Sequence, residues 1–161
     1  MKQPEEIAAY LKDKIGEGVL EFVPAEVGQP WITIAPDSIK NIAKFLRDDS
    51  ELRFNTLMCL SGVHYPAEQE LGVTYHLHST TFGHTVALKV RVPIDNPHVE
   101  SVETVWKTAD WHEREAWDML GIIFDGHPNM ARILCPDDWE GHPLRKDYVQ
   151  QETYQGITTR F

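Results

Sequence analysis

The stretch LGVTYHLH at residues 71–78 gives a clear signal of the fold, because apolar side chains alternate in it with small or polar ones. A period of two predicts a β-strand with one face in the core. The stretch TVALKVRV at residues 85–92 alternates in the same way and predicts a neighbouring strand. Each strand keeps one polar face, which predicts a sheet that helices cover on one side only.

A third strand is predicted immediately upstream, in the stretch FNTLMCLS at residues 54–61. Strict alternation would place Met58 and Leu60 on one face of this strand. Leu57 and Cys59 would then lie on the opposite face.

Two helices and two short strands are predicted before this point in the chain. Apolar residues at helical spacing indicate one helix ending at Gly16 and a second opening at Asp37, with strands at residues 19–23 and 31–35 between them. The order α-β-β-α-β-β-β predicts an α+β fold with two layers, in which helices lie on one face of a mixed, largely antiparallel sheet.

Two short helices are predicted after the sheet. The first would begin at Asn96-Pro97 and turn Trp106 inward. The second would begin at Asp110, with Glu113 completing a capping box, and end at Gly121, a residue type favoured where a helix stops in the left-handed conformation.

The regular spacing of apolar residues ends after Gly121, although apolar residues continue to occur beyond it. Long stretches without regular structure are uncommon and are usually functional or disordered. We therefore divide the chain into a compact α+β domain at residues 1–120 and an extended, partner-binding tail at residues 121–161. The tail would lie on a surface of this domain or of another protein.

Composition limits the classes of function. The 161 residues carry a formal net charge of −10, which repels phosphate backbones, so we expect no nucleic-acid partner. No apolar run approaches the roughly 20 residues needed to cross a bilayer. The two cysteines, Cys59 and Cys135, cannot form an iron–sulfur site alone, and the N-terminus has no basic-then-apolar secretory signal, so a reducing cytoplasm is expected.

A metal-dependent hydrolase is one alternative interpretation of the histidines. The pair His112-Glu113 resembles the start of a zinc motif, but Ala116 stands where the second histidine is needed. His127 and His142 would have to complete the site from the tail. Against this alternative, residues 106–148 concentrate tryptophan and arginine, the residue types in which protein interfaces are enriched.

Three blocks of sequence resemble one known family. They are EREAWDMLGI at 113–122, GHPNMARIL at 126–134 and DWEGHPLRKDY at 138–148. In this order and spacing they resemble the C subunit of the proton-pumping NADH–quinone oxidoreductase, respiratory complex I, known in mitochondria as the thirty-kilodalton subunit. Ala131 and Val149 depart from the family pattern, which more often has Arg and Pro there.

The resemblance implies a non-catalytic structural subunit in the peripheral arm of the complex. Such a subunit holds the quinone-site D subunit, its main partner, against the iron–sulfur B and I subunits during electron transfer from NADH to quinone. It binds no cofactor itself, since FMN and the clusters lie in partner subunits. The resemblance places the chain on the cytoplasmic side of the inner (plasma) membrane, peripheral, and attached to the membrane only through the complex.

The resemblance also implies a partner interface, with no catalytic, cofactor-binding or metal-binding residue in this chain. The expected interface residues are Glu113, Arg114, Glu115, Asp118, His127, Arg132, Trp139, His142, Arg145, Lys146, Asp147 and Tyr148. An equivalent scaffold subunit of a membrane-bound hydrogenase-type complex remains an alternative.

Overall fold

Three helices pack on a five-stranded sheet in the computed structural model, which describes residues 1–25 and 28–159. Residues 26 and 27 of the first predicted loop, and residues 160 and 161 of the predicted tail, lie outside the described residues. The helices are α1 (Pro4–Lys14), α2 (Ile39–Asp48) and α3 (Ala109–Leu120). The strands are β1 (Val19–Val23), β2 (Trp31–Ile34), β3 (Thr56–Tyr65), β4 (Glu70–His78), β5 (Thr85–Pro93), β6 (His98–Glu100), β7 (Ile123–Asp125), β8 (Thr153–Tyr154) and β9 (Ile157–Thr158).

The main sheet has the strand order β1-β2-β5-β4-β3. β2 and β5 are parallel, and the other three pairs of neighbouring strands are antiparallel. The predicted mixed, largely antiparallel sheet is therefore confirmed. None of the helices in the described part of the chain is long and apolar enough to cross a lipid bilayer.

The helices cover one face of the sheet, as the sequence predicts. Inward residues of the central strands, such as Val73 and Leu88, form one core with Leu11 of α1 and Ile42 of α2. On β3 the inward position 62 is a glycine, and a Cβ built there would lie 2.5 Å from Leu120 Cδ1 of α3. The absent side chain lets α3 pack closely against β3, and the predicted two-layer α+β fold is confirmed.

The predicted alternation along β3 is wrong at its start. A β-bulge interrupts the pairing with β4 between Leu57 and Cys59. As a result Leu57 and Leu60 both face the core, whereas Met58 is 60% exposed. One extra residue in a bulge reverses the face on which the following side chains lie, and strict alternation cannot anticipate it.

The prediction of the first short helix is also wrong. Residues 98–100 form β6, which pairs in parallel with β7, and Val99 lies opposite Phe124. The pairing with a strand more than twenty residues downstream overrides the local helical spacing. Trp106 does turn inward, and its indole N–H donates to the Phe54 carbonyl oxygen at 2.9 Å.

The second short helix is confirmed as α3, although it begins differently from the prediction. Its N-cap is Thr108, and Glu113 does not fold back to close a capping box. The helix ends as predicted at Gly121, whose φ of +80° lies in the left-handed region. The imidazole of His142 packs against this glycine, where a Cβ would lie 2.7 Å from His142 Cδ2.

We predict that Gly62→Val destabilises the fold by about 1–3 kcal/mol, because the added methyl groups would push α3 away from β3. The free energy of unfolding in urea measures the effect. Ser61→Val is the matched control, since Ser61 is the exposed neighbour on the other face of β3. Equal destabilisation by both substitutions would contradict the proposed close packing.

Candidate partner interface

The carboxylate of Asp118 organises the C-terminal third of the chain from within α3. Its Oδ2 accepts hydrogen bonds from the backbone N–H groups of Ile133, Leu134 and Cys135 at 3.0, 2.8 and 2.9 Å. Its Oδ1 accepts one from the Arg132 guanidinium at 2.5 Å. The Asp118 side chain has no accessible surface.

These contacts determine the charge of Asp118. Burial raises the pKa of the carboxyl group, but the three backbone N–H donors and Arg132 stabilise the anion more strongly. The net result is a pKa below its usual range. Asp118 is therefore an ionised, fully buried group whose partners all come from one loop.

Arg132 extends this network into the third block of sequence. Its Nη2 donates to the carbonyl oxygens of Trp139, at 2.7 Å, and Gly141, at 3.2 Å. Nearby, the ring Nδ1 of His142 lies 3.0 Å from the carbonyl oxygen of Asp118. One guanidinium thus connects α3 with two successive loops of the C-terminal segment.

Arg114 supports the same loop from the neighbouring turn of α3. Its guanidinium donates to the carbonyl oxygens of Ala131 and Arg132, both at 3.0 Å. It also lies over the Trp111 ring, 5.3 Å from the ring centroid. The Trp111 side chain nevertheless stays largely open to solvent, at 62% exposure.

Glu113 faces the opposite side of α3 and is fully buried. Its carboxylate accepts hydrogen bonds from Ser101 Oγ at 2.6 Å and from the Val102 backbone N–H at 2.8 Å. Burial raises the pKa of Glu113 to about 7, although these two hydrogen bonds oppose the shift. Glu113 therefore supports the junction between α3 and β6 within this chain.

Most of the remaining predicted residues lie along the C-terminal segment. Lys146 donates its backbone N–H to His64 Nδ1 at 2.9 Å, and the Arg145 guanidinium pairs with Asp147 at 2.9 Å. Glu115, by contrast, projects into solvent from α3.

Aromatic and imidazole rings fix the same segment at other points. The ring of His127 lies within 3.2 Å of the Asp110 carbonyl oxygen. The Trp139 ring packs 5.1 Å from that of Tyr154, and Tyr148 packs beside Gly141. The structure thus brings Asp118, Arg114, Arg132 and His142 together. It leaves Glu113 and Glu115 elsewhere on α3 and spreads the other predicted residues along the segment.

Large apolar side chains remain exposed on this part of the molecule. They include Trp111 at 62%, Leu134 at 62%, Leu144 at 58%, Val149 at 79% and Ile157 at 72% exposure. None of these five is in the predicted set of interface residues. For the four residues after Gly121 the signal in the sequence is the persistence of apolar residues, and for Trp111 it is the concentration of tryptophan and arginine at 106–148. Neither signal shows which side chains reach the surface.

The residues of the hydrolase hypothesis do not form a cluster. Glu113 turns toward Ser101, while His127 and His142 contact separate backbone carbonyls of α3. Among the described residues, no three His, Cys, Asp or Glu side chains lie together as a potential metal site.

A family profile described as the 30 Kd subunit of respiratory-chain NADH dehydrogenase matches residues 32–154. The chain belongs to this family. The matched range includes all three sequence blocks, and in the thirty-kilodalton subunit fold seen here those blocks meet at Asp118, Arg132 and the carbonyls of Trp139 and Gly141.

Curated relatives agree with this assignment. The C subunit of an NADH-quinone oxidoreductase from Chlorobium phaeobacteroides is 50% identical over 154 residues, covering 94% of this chain and 93% of the relative. The C subunit of the corresponding enzyme from Chloroherpeton thalassium is 47% identical over 158 residues, covering 96% of this chain and 65% of the relative.

Two solved structures share the fold. A chain of the membrane-bound sulfane sulfur reductase, an archaeal respiratory membrane complex, superposes with a TM-score of 0.74 at 24% identity, covering 90% of this chain and 85% of that one. A trypsin-resistant fragment (1–134) of Nqo5 gives a TM-score of 0.62 at 24% identity, covering 76% and 98%.

We predict that Asp118→Ala releases the loop after Arg132 from α3. Removing one partner of a buried ion pair costs about 3–5 kcal/mol, because the other charge stays uncompensated. Trypsin should then cleave after Arg132 several-fold faster than in the unmodified chain, as measured by mass spectrometry of timed digests.

The control is Asp147→Ala, which removes an exposed ion pair worth at most about 1 kcal/mol. Cleavage after Arg132 that is no faster in Asp118→Ala than in this control would contradict the role given to Asp118.

We predict that Glu113 makes the fold less stable as pH rises. Its folded pKa of about 7 exceeds its ordinary value of 4.5, so the folded chain binds more protons between these values. The stability that Glu113 contributes is fully present below pH 4.5 and is lost as pH rises through 7, by at most about 3 kcal/mol. Glu113→Gln, measured by urea unfolding across this range, should flatten that slope. A slope unchanged by the substitution would show that another group causes it.

Proposed function

We propose that this chain is a structural subunit in the peripheral arm of a proton-pumping NADH–quinone oxidoreductase. In this role it holds the quinone-site D subunit against the iron–sulfur B and I subunits. The observation that carries the proposal is the set of exposed apolar side chains on α3 and the C-terminal segment. Membership of the thirty-kilodalton family names the complex in which they would be covered.

The geometry of this surface suits a protein interface. Trp111 and Leu134 are each 62% exposed, yet the Trp111 ring lies against the Arg114 guanidinium and the Leu134 backbone N–H is bound by Asp118. A ring and a backbone segment that are already held in place lose little conformational entropy on binding. The guanidinium groups of Arg114 and Arg132 donate hydrogen bonds to carbonyl oxygens within this chain, and these bonds stabilise the loop. The apolar side chains of the loop would then be the groups that contact a partner.

The electrostatic contribution would come from the rim. Arg145, Lys146 and Asp147 lie on the outer part of the segment, and Arg145 already forms a pair with Asp147. Exposed charges of this kind add little affinity, but they orient partners and fix the register of an interface. We propose that acidic side chains of the D subunit compete for Arg145 on assembly.

The proposal gives this chain no active site of its own. Electron transfer would proceed through FMN and iron–sulfur clusters in the partner subunits, and this chain would fix the distances between those subunits. It would lie at the cytoplasmic side of the inner (plasma) membrane as a peripheral subunit, in contact with the membrane only through the complex.

We predict that Leu134→Ser weakens incorporation of the chain into the complex while the fold stays intact. A tagged chain would be recovered from detergent-solubilised membranes, its partners identified by mass spectrometry, and flavin and iron–sulfur absorbance recorded. Loss of one interface leucine should reduce the recovered D, B and I subunits several-fold, because the apolar area that the leucine buries against a partner no longer contributes to binding.

Leu20→Ser is the matched control, since Leu20 is 59% exposed but lies on β1, away from the C-terminal segment. Equal recovery of partners with both variants would contradict the assigned surface. Recovery of a nickel-binding large subunit in place of the D subunit would favour the hydrogenase-type alternative.

A further inference from the structure

The uncovered face of the main sheet carries an unusual set of side chains. We define this outer face by the residues that point away from the helices in β2, β5, β4 and β3. One row of paired positions across it is Trp31, Ala87 and His76, and the next includes Lys89 and Thr74.

Each of the two cations on the outer face lies against an aromatic ring. Lys89 Nζ lies 3.5 Å from the centroid of the Trp31 ring, and the Arg91 guanidinium lies 4.1 Å from that of Tyr65. Arg91 also pairs with Glu70 at 3.3 Å. Contacts of this kind hold the cations close to the sheet and orient the rings.

Lys89 differs from Arg91 in that no acidic residue of the described part of the chain pairs with it. No carboxylate of the described residues lies within ion-pair distance of its ammonium group. Burial and the neighbouring positive charge of Arg91 lower the pKa of Lys89. The half-buried ammonium of Lys89 therefore has no ion-pair partner among the described residues, although the chain has a net charge of −10.

A groove of about 440 Å³ runs beside Lys89. Trp31 forms one wall, Val63 and Tyr65 form the other, and the small side chains of Ala87 and Thr74 form part of the floor. Among the described residues that line the groove, Lys89 is the one Lys, Arg, Asp or Glu.

The floor of the groove also contains a polar side-chain atom without a hydrogen-bond partner among the described residues. The ring Nδ1 of His76, on the strand next to Ala87, is buried and has no hydrogen-bond partner among the described residues. Buried polar atoms without partners are costly, and His76 and Lys89 line the same groove, where a polar group from outside would satisfy both.

We propose that the outer face docks a segment of a neighbouring subunit that carries an aspartate or glutamate beside an apolar side chain. The carboxylate would bind Lys89 and His76, and the apolar side chain would lie between Trp31 and Tyr65. The inference rests on the proposed membership of a multi-subunit complex. It adds a second docking surface on the side of the sheet opposite α3.

Charge complementarity selects this occupant. A carboxylate compensates the half-buried ammonium of Lys89, and the aromatic walls desolvate the pair so that it gains more than an exposed pair would. An uncharged apolar segment would bury Lys89 without compensation, which costs free energy. A second copy of this acidic chain would add like charge along most of its surface.

The test compares the purified complex with the isolated full-length chain. Acetylation of amines by an N-hydroxysuccinimide ester, read by mass spectrometry, should label Lys89 several-fold less in the complex than in the free chain. Lys12, exposed on α1 behind the opposite face, should be labelled equally in both and serves as the control. A water-soluble carbodiimide, which joins amines only to carboxylates in contact, should link Lys89 to an acidic residue of another subunit.

Three outcomes would overturn the inference. They are acetylation of Lys89 as fast in the intact complex as in the free chain, a carbodiimide link from Lys89 to a second copy of this chain, and protection of Lys89 without any carboxylate link. In each case, the recovery of other subunits together with this chain would still support the proposed function. A chain that recovers no other subunit would overturn both proposals.

Discussion

The buried carboxylate of Asp118 is the constraint on which the C-terminal third of the molecule depends. Residues 131–135 contain no helix or strand, so their backbone N–H groups need partners from elsewhere. Asp118 accepts three of these N–H groups and pairs with Arg132, which in turn donates to the carbonyls of the following loop. A segment without regular structure thereby has a defined path over α3, and its apolar side chains are presented at fixed positions.

The central sheet could be predicted from the sequence because its signal is local. Alternation along β4 and β5 reports directly which side chains face the core, and the structure confirms it. The bulge before Cys59 and the parallel pairing of β6 with β7 could not be predicted in this way. Both depend on the partner strand, and the partner of β6 lies beyond α3 in the sequence.

The candidate interface could also be predicted only in part from the sequence. The sequence blocks identify the family and contain Asp118 and Arg132, but spacing alone does not show that these residues pair with each other. Glu113 illustrates the difficulty, since it stands at the predicted capping-box position of α3 yet reaches back to Ser101. Lys89 and Trp31 are separated by most of the sheet-forming sequence, and only the parallel register of β2 and β5 places them together.

That parallel register also has a consequence for synthesis on the ribosome. β2 has β1 on one side, but its other neighbour is β5, and α2, β3 and β4 are made between them. The N-terminal hairpin of a nascent chain therefore keeps an unpaired edge until residues 85–93 have left the exit tunnel. Long-range pairing of this kind is slow, and an unpaired edge invites association with other strands. By this reasoning the growing chain is most exposed to aggregation during the translation of α2, β3 and β4.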